Sequence, residues 1–312
     1  VQTCALPISG YYLQDRQNRN NDMPCIGSYT ARLRGANKPG LPAFVSVPRE
    51  MRFGQAAWLG KGYNAFTTGT DADAKNFKVP NLTLMRGLTS DRLNDRRSLL
   101  AGFDSTQRII DTKGVSTAMD QFTVQAFDMV TGDGARKAFD IQQESNASRD
   151  RYGRNKIGQN LLLARRLVEV GVRMVHVNWA REPGDSAVDN PMWDTHALNA
   201  DRLEDVLCPI FDVGFPALIN DLDERGLLDE TLVVAVAEFG RTPKINAKAG
   251  RDHWHHCYSG LVAGGGFRTG LVIGSSDRRA EYPASNPLTP ADLFTTVLSQ
   301  IGIGTTQLTS VG

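Results

Sequence analysis

Residues 232–241 read LVVAVAEFGR. The run Leu232 to Val236 is apolar throughout, with valine at three of its five positions. It shows no polar alternation and is too short for a core helix, so it predicts a strand buried on both faces, as in a parallel sheet. Glu238, Gly240 and Arg241 follow at once. In open α/β sheets ligands bind beyond the carboxyl ends of the strands. This stretch therefore predicts a fold class and the end of the sheet where a site would form.

Upstream, Ala197–Arg225 has helical texture, with a kink or break expected near Pro209 and Pro216 and closure at Gly226. Before it, Val172–Asn178 reads as a strand, and a loop with Pro183, Gly184 and Pro191 leads to Trp193-Asp194-Thr195-His196. Lys156–Val170 is an expected helix with Gly171 as its C-cap. Downstream, Leu261–Ala263 and Leu271–Ile273 are expected short strands, and Thr289-Pro290-Ala291-Asp292 caps a last helix running to Ile301. Toward the start, Ala43–Val47 is a strand ended by Pro48, while residues 20–42 and 53–80 read as ordered loops. Residues 86–148 read as a mostly helical insertion. Ser90 is its N-cap, Leu93, Leu100 and Phe103 recur at helical spacing, and Phe122, Ala126 and Met129 share one stripe. The β-α-β alternation predicts an α/β fold with a largely parallel sheet and helices on both faces.

The chain has 312 residues, 41% hydrophobic and 22% charged, with net charge +1. That is ordinary globular composition, with no electrostatic footprint for nucleic acid and no polybasic membrane surface. No apolar stretch approaches the roughly 20 residues of a membrane span. Cys4, Cys25, Cys208 and Cys257 form no CxxC pair, so neither a disulfide framework nor a zinc knuckle is implied. The opening octapeptide VQTCALPI reads as a translated sequencing adapter, so Val1–Ile8 are expected to be foreign to the native chain and residues 9–312 to be the α/β domain.

Three of the five histidines, His253, His255 and His256, crowd together shortly after the strand at 232–236. Asp194 and His196 are an oxygen and an imidazole ligand two residues apart, able to face one side of an extended loop. His253 offers a third ligand, and the mixed N/O set suits zinc or manganese. Asp252 stands beside His253 as a carboxylate able to orient a ligating imidazole. Each also has a plainer reading: a capping pair at 194–196, a hydrogen-bonding loop histidine at 253, a turn cap at Glu238. Arg241 is suited to two-pronged binding of an oxyanion; the alternative is a salt bridge to Glu238 or Asp252. One of His255 and His256 is expected to be buried against Trp254 with neither a ligand, and His176, inside a strand, to be a satisfied core histidine.

The segments WDTH, DERGLLDETLVVAVAEFGRTPKIN, GRDHW and GLVAGGGFRTGLVIG closely resemble the C-terminal half of domain-of-unknown-function family 1501. RDRYGRNKIGQNLLLARRLVEVGVRMVHVNW resembles its middle, and MPCIGSYTARLRG an earlier segment. Members of that family are placed in the alkaline phosphatase and sulfatase superfamily. The resemblance implies a three-layer α/β sandwich, alkaline-phosphatase-like, and a divalent metal such as zinc, manganese or calcium. It implies Asp194, His196 and His253 at a first metal site and Glu238 as the acid of a second. There Phe239 replaces a histidine, leaving the second site altered or empty. It further implies a nucleophile at a helix start, for which Ser28 and Cys25 are the candidates, and a periplasmic or secreted location. The expected activity is metal-dependent hydrolysis of sulfate or phosphate esters, on an anionic small-molecule or glycan substrate held by Arg241. The alternatives are a non-catalytic relative that binds sulfated or phosphorylated glycans, and a scaffold that keeps only a structural metal.

Overall fold

The computed structural model describes residues 9–10, 21–80, 82, 95, 115–179, 181–182, 185–186, 189–190 and 192–310. The octapeptide Val1–Ile8, the expected cap Ser90, the spaced Leu93, Leu100 and Phe103, the loop residues Pro183, Gly184 and Pro191, and the side chain of Phe122 lie outside the described residues.

Strand β1 (Phe44–Val47) is the middle of a three-stranded parallel sheet, with β2 (Phe66–Thr67) on one side and β3 (Met174–Val177) on the other. All four β1 residues are buried. The two-faced burial expected of the strand at 232–236 thus belongs to β1, where Phe44 packs against Cys25 on one face and Val45 and Val47 join the main core. Ser46 escapes an unpaired hydroxyl by donating to the Arg49 carbonyl at 2.7 Å. Residues 20–42 are not all loop: α1 (Ile26–Arg34) crosses β1 closely. A side-chain carbon at Gly27 would lie 2.4 Å from the Phe44 ring, so glycine is what lets this helix approach the strand.

The described part of the expected helical insertion holds α2 (Val115–Thr131), α3 (Asp133–Phe139) and α4 (Asn146–Arg151). Ala135, Ala138, Phe139 and Ile141 join the main core with Val45, Leu162, Leu163 and Leu167. The predicted stripe is only partly present on α2, where Met129 is buried but Ala126 is exposed.

Helix α5 (Lys156–Val170) has the bounds its pattern predicts. The Asn155 side chain accepts from the Gly158 amide at 2.8 Å, and Gly171 ends the helix at φ 108°. Leu162, Leu163 and Leu167 are fully buried, each stabilising the fold by about 1.5–3 kcal/mol. Next come α6 (Asn199–Arg202), a π-helical turn (Leu203–Leu207) and α7 (Cys208–Glu224). Pro209 sits in the first turn of α7, where its missing N–H costs nothing, whereas Pro216 is accommodated inside the helix.

A buried ion network ties α5 to α7. Arg165, 1% exposed, meets Glu144 at 2.9 Å, Asp221 at 2.8 Å and Glu169 at 2.6 Å. The Tyr152 hydroxyl donates to Asp221 at 2.8 Å.

Strand β4 (Leu232–Ala235) corrects the opening expectation. It lies outside the parallel sheet. It pairs antiparallel with β7 (Leu261–Gly264), and its four residues are half-buried. Between the two come β5 (Gly240–Arg241) and β6 (His253–Trp254), an antiparallel pair. Leu271–Ile273 is not a strand; the segment is irregular and Val272 is 94% exposed. A short ribbon of β8 (Ser275–Ser276) and β9 (Pro283–Ser285) follows. Helix α8 (Pro290–Gln300) is capped as predicted. Thr289 Oγ1 accepts from the Asp292 amide at 3.2 Å, and Asp292 accepts from the Thr289 amide at 2.8 Å. Among the described residues no helix is long and apolar enough to cross a membrane.

Candidate metal centre

The chain bends at Glu238 after β4, and β5 then pairs with β6 so that Arg241 stands opposite His253. A second stitch joins the loop after residue 242 to the segment after Asp194. The Leu198 amide donates to Lys248 O at 3.0 Å, Asn199 to Ala249 O at 2.9 Å and Arg251 to Thr195 O at 3.1 Å. The two sequence-distant loops therefore meet, although β3 and β4 lie in different sheets.

Their meeting brings Asp194, His196 and His253 together, with one donor atom from each inside 4.8 Å of the others. Asp194 Oδ1 lies 3.0 Å from His196 Nε2 and 2.8 Å from His253 Nε2, and the two Nε2 atoms are 3.2 Å apart. Donors bound to a tetrahedral ion at about 2.0–2.1 Å sit roughly 3.3 Å from one another. The three separations match that spacing to within half an ångström.

A carboxylate also faces the far side of the His196 ring. His196 Nδ1 lies 3.0 Å from Asp252 Oδ1. Asp252 and Asp194 both offer acceptors to the ring, and in the Nδ1–H tautomer, with the hydrogen donated to Asp252, Nε2 turns its lone pair toward Asp194 and His253. In the metal-free protein a hydrogen on His253 Nε2 donates to Asp194 Oδ1, and a bound cation would take that hydrogen's place. Asp252 plays the orienting part expected of it, on His196 rather than on its neighbour His253.

Arg241 is ion-paired to Asp194. Neither Glu238 nor Asp252, the alternatives weighed from sequence, is the partner. Burial would raise the Asp194 pKa, but the charge of Arg241 and the hydrogen bond with His253 outweigh it and hold the carboxyl below its ordinary range. Phe239 is buried, with its ring 4.3 Å from that of His253 and 5.7 Å from the Arg241 guanidinium carbon. It forms the apolar wall behind both.

Glu238, half-buried on the bend, is not among the three converging donors. Cys25 and Ser28 are fully buried at the start of α1. The Cys25 sulfur lies 3.2 Å from Ser28 Oγ and donates to Gly54 O at 3.0 Å, and burial pushes its thiol pKa up. His256 stacks edge-on against Trp254 with rings 4.7 Å apart, yet both His255 and His256 are exposed, so the contact is present without the expected burial. His176 packs edge-on against Phe44, but its sealed Nδ1 has no hydrogen-bond partner among the described residues, so it is not the satisfied histidine expected.

Sequence reasoning passed over Asn246 and Gly250, which hold this loop in place. Gly250 approaches the His196 carbonyl so closely that a side-chain carbon would lie 1.9 Å from it. Nothing in the sequence flags such an approach, because the two residues are distant along the chain.

No curated protein and no solved structure matches the chain. One family model matches residues 9–311, thus covering every residue of the site, and the chain belongs to that family, described as proteins of unknown function (DUF1501).

Proposed function

We propose that this protein is a divalent-metal-dependent hydrolase of sulfate or phosphate esters, built on the three-layer fold of the alkaline phosphatase and sulfatase superfamily. The observation that carries the reading is the convergence of Asp194, His196 and His253 on one point, with Arg241 beside them. Three protein ligands with a further position free is the pattern of catalytic rather than structural zinc sites. A bound zinc or manganese ion would polarise the ester oxygen and lower the pKa of water.

In this reading His196 and His253 supply neutral nitrogens and Asp194 the charge. Asp252 keeps the hydrogen of His196 on Nδ1. Arg241 binds the sulfate or phosphate group through its fork of N–H donors. Phe239 keeps water from the rear of the site. Glu238 is the acid left for a second metal, with Phe239 in place of its partner.

A second reading, an esterase relative that binds sulfated or phosphorylated glycans without turnover, is favoured by the burial of both candidate nucleophiles, Cys25 and Ser28.

The test is metal analysis of the purified protein beside its His253→Ala and Asp194→Asn variants, with aryl sulfate and aryl phosphate hydrolysis measured on each. Metal content near one equivalent that falls in both variants, together with metal-dependent turnover, is the expected result. Equal metal content in all three proteins would defeat the metal site. Metal and anion binding without turnover would establish the second reading.

A further inference from the structure

Asn246 sits on the loop between β5 and β6 and reaches both ends of His196. Its Nδ2 donates to the His196 backbone carbonyl at 3.0 Å and to Asp252 Oδ1 at 3.2 Å. That carboxylate oxygen is the one that receives His196 Nδ1. On its other side, Asn246 Oδ1 accepts from the amides of Lys248 and Gly250, both at 2.9 Å. The orientation of the amide is unambiguous, since its donor end faces two acceptors and its acceptor end faces two N–H groups.

The geometry points to Asn246 as a positioning residue of the metal centre. It aims Asp252 at His196 Nδ1 and so fixes the tautomer that leaves Nε2 bare toward Asp194 and His253. The inference rests on the metal reading above.

Asp252 needs such an anchor. Its side chain is 56% exposed, so water competes for its oxygens and its rotation is otherwise weakly restrained. Only a carboxamide satisfies the whole set. Aspartate at 246 would face Asp252 with like charge and no donor, and a hydroxyl is too short to span both sides. The Asn246 backbone N–H also closes the tight turn 246–250, donating to Gly250 O at 2.9 Å. The turn thus delivers Gly250 against His196 and Asp252 against its ring as one unit. Groups that orient a ligating histidine typically change metal affinity by about 10–100-fold when removed.

Two measurements test this. The first is the His196 ring tautomer in metal-free wild-type protein, read from imidazole 15N chemical shifts. The second is zinc affinity by competition with a chromophoric chelator, for wild type, Asn246→Ala, Asp252→Ala and the double variant. Expected are the Nδ1–H tautomer in wild type, loss of that single tautomer in Asn246→Ala, and zinc binding weakened about 10–100-fold. The double variant should lose less than the sum of the two single losses, because the residues share the path through Asp252 while Asn246 also holds the His196 carbonyl and the turn. An Nε2–H tautomer in wild type, wild-type zinc affinity in Asn246→Ala, or additive losses in the double variant would each overturn the inference. Should Asn246→Ala fail to fold, the same two readouts on Asn246→Gln, which keeps the carboxamide but displaces it, decide in its place, with wild-type tautomer and affinity overturning the inference. Absence of any zinc binding by wild type would instead defeat the metal reading, while the change of tautomer between metal-free wild type and the 246 variant continues to report on Asn246.

Discussion

Arg241 and Asp194 form an ion pair in which the carboxylate is shared with both imidazoles of the site. The guanidinium, 18% exposed, is thus held where an anion would meet the centre. Replacing it by lysine keeps the charge and loses the fork. Arg241→Lys should weaken binding of inorganic sulfate or phosphate by roughly 1.5–3 kcal/mol, the scale of a charge-assisted hydrogen bond. Calorimetric titration and a thermal melt of the same variant separate the roles. A large fall in stability with unchanged anion affinity would make the ion pair structural only.

Phe239 packs its buried ring on His253, at the position where the proposed reading would need a second metal ligand. An apolar ring cannot coordinate, so zinc titration should saturate at about one equivalent, with any second ion bound far more weakly. Phe239→Ala should destabilise the protein by about 3–5 kcal/mol and loosen His253. Two tight zinc equivalents would show the inference about the second site to be wrong.

Gly250→Ala addresses the stitch between the loops. The added carbon would meet the His196 carbonyl oxygen at 1.9 Å and the Ala197 nitrogen at 2.5 Å. The obstacle is backbone rather than the end of a flexible side chain, so the loops must part. A destabilisation of about 1–3 kcal/mol is expected, with weaker metal binding. A melt and a chelator competition check it, and wild-type values in both would mean that the close approach is not present in solution.

Acid stability should fall in two stages. Burial lowers the His176 pKa from 6.5 to about 4, so below pH 6.5 the unfolded chain takes up its proton first, and stability is lost down to about pH 4. Glu144 and Asp221 follow. Burial would raise their pKa values, but hydrogen bonds from arginines, with Tyr152 adding to those on Asp221, outweigh it, so both are depressed. Their contribution is therefore present above the ordinary carboxylate range and lost as pH falls through it. His176→Asn should flatten the first stage alone. Arg165→Met should cost about 3–5 kcal/mol at neutral pH by stranding buried carboxylates. Urea melts across pH would test both, and a His176→Asn profile identical to wild type would dismiss the first stage.

Much of the local structure was legible in the sequence. Gly171 closes α5, and Thr289 with Asp292 caps α8, because capping depends on residues within one turn of each other. The ligand types Asp194, His196 and His253 were legible because donor chemistry belongs to the side chain itself. Helix α1 was hidden by its glycine- and proline-rich surroundings, and the exposed Leu271–Ile273 run imitated a strand.

What the sequence by itself determined is therefore the α/β class, the capped helices and the chemical character of the site. The partner of each strand was decided only in three dimensions. An apolar run such as Leu232–Val236 states that a strand needs cover, not whether a parallel or an antiparallel neighbour supplies it, and here β7 does. The pairing of Arg241 with Asp194, the turn of Asp252 toward His196 and the seat of Gly250 on the His196 carbonyl likewise join residues far apart in the chain. Their distances are set by how the loops cross, and sequence spacing carries no record of that crossing.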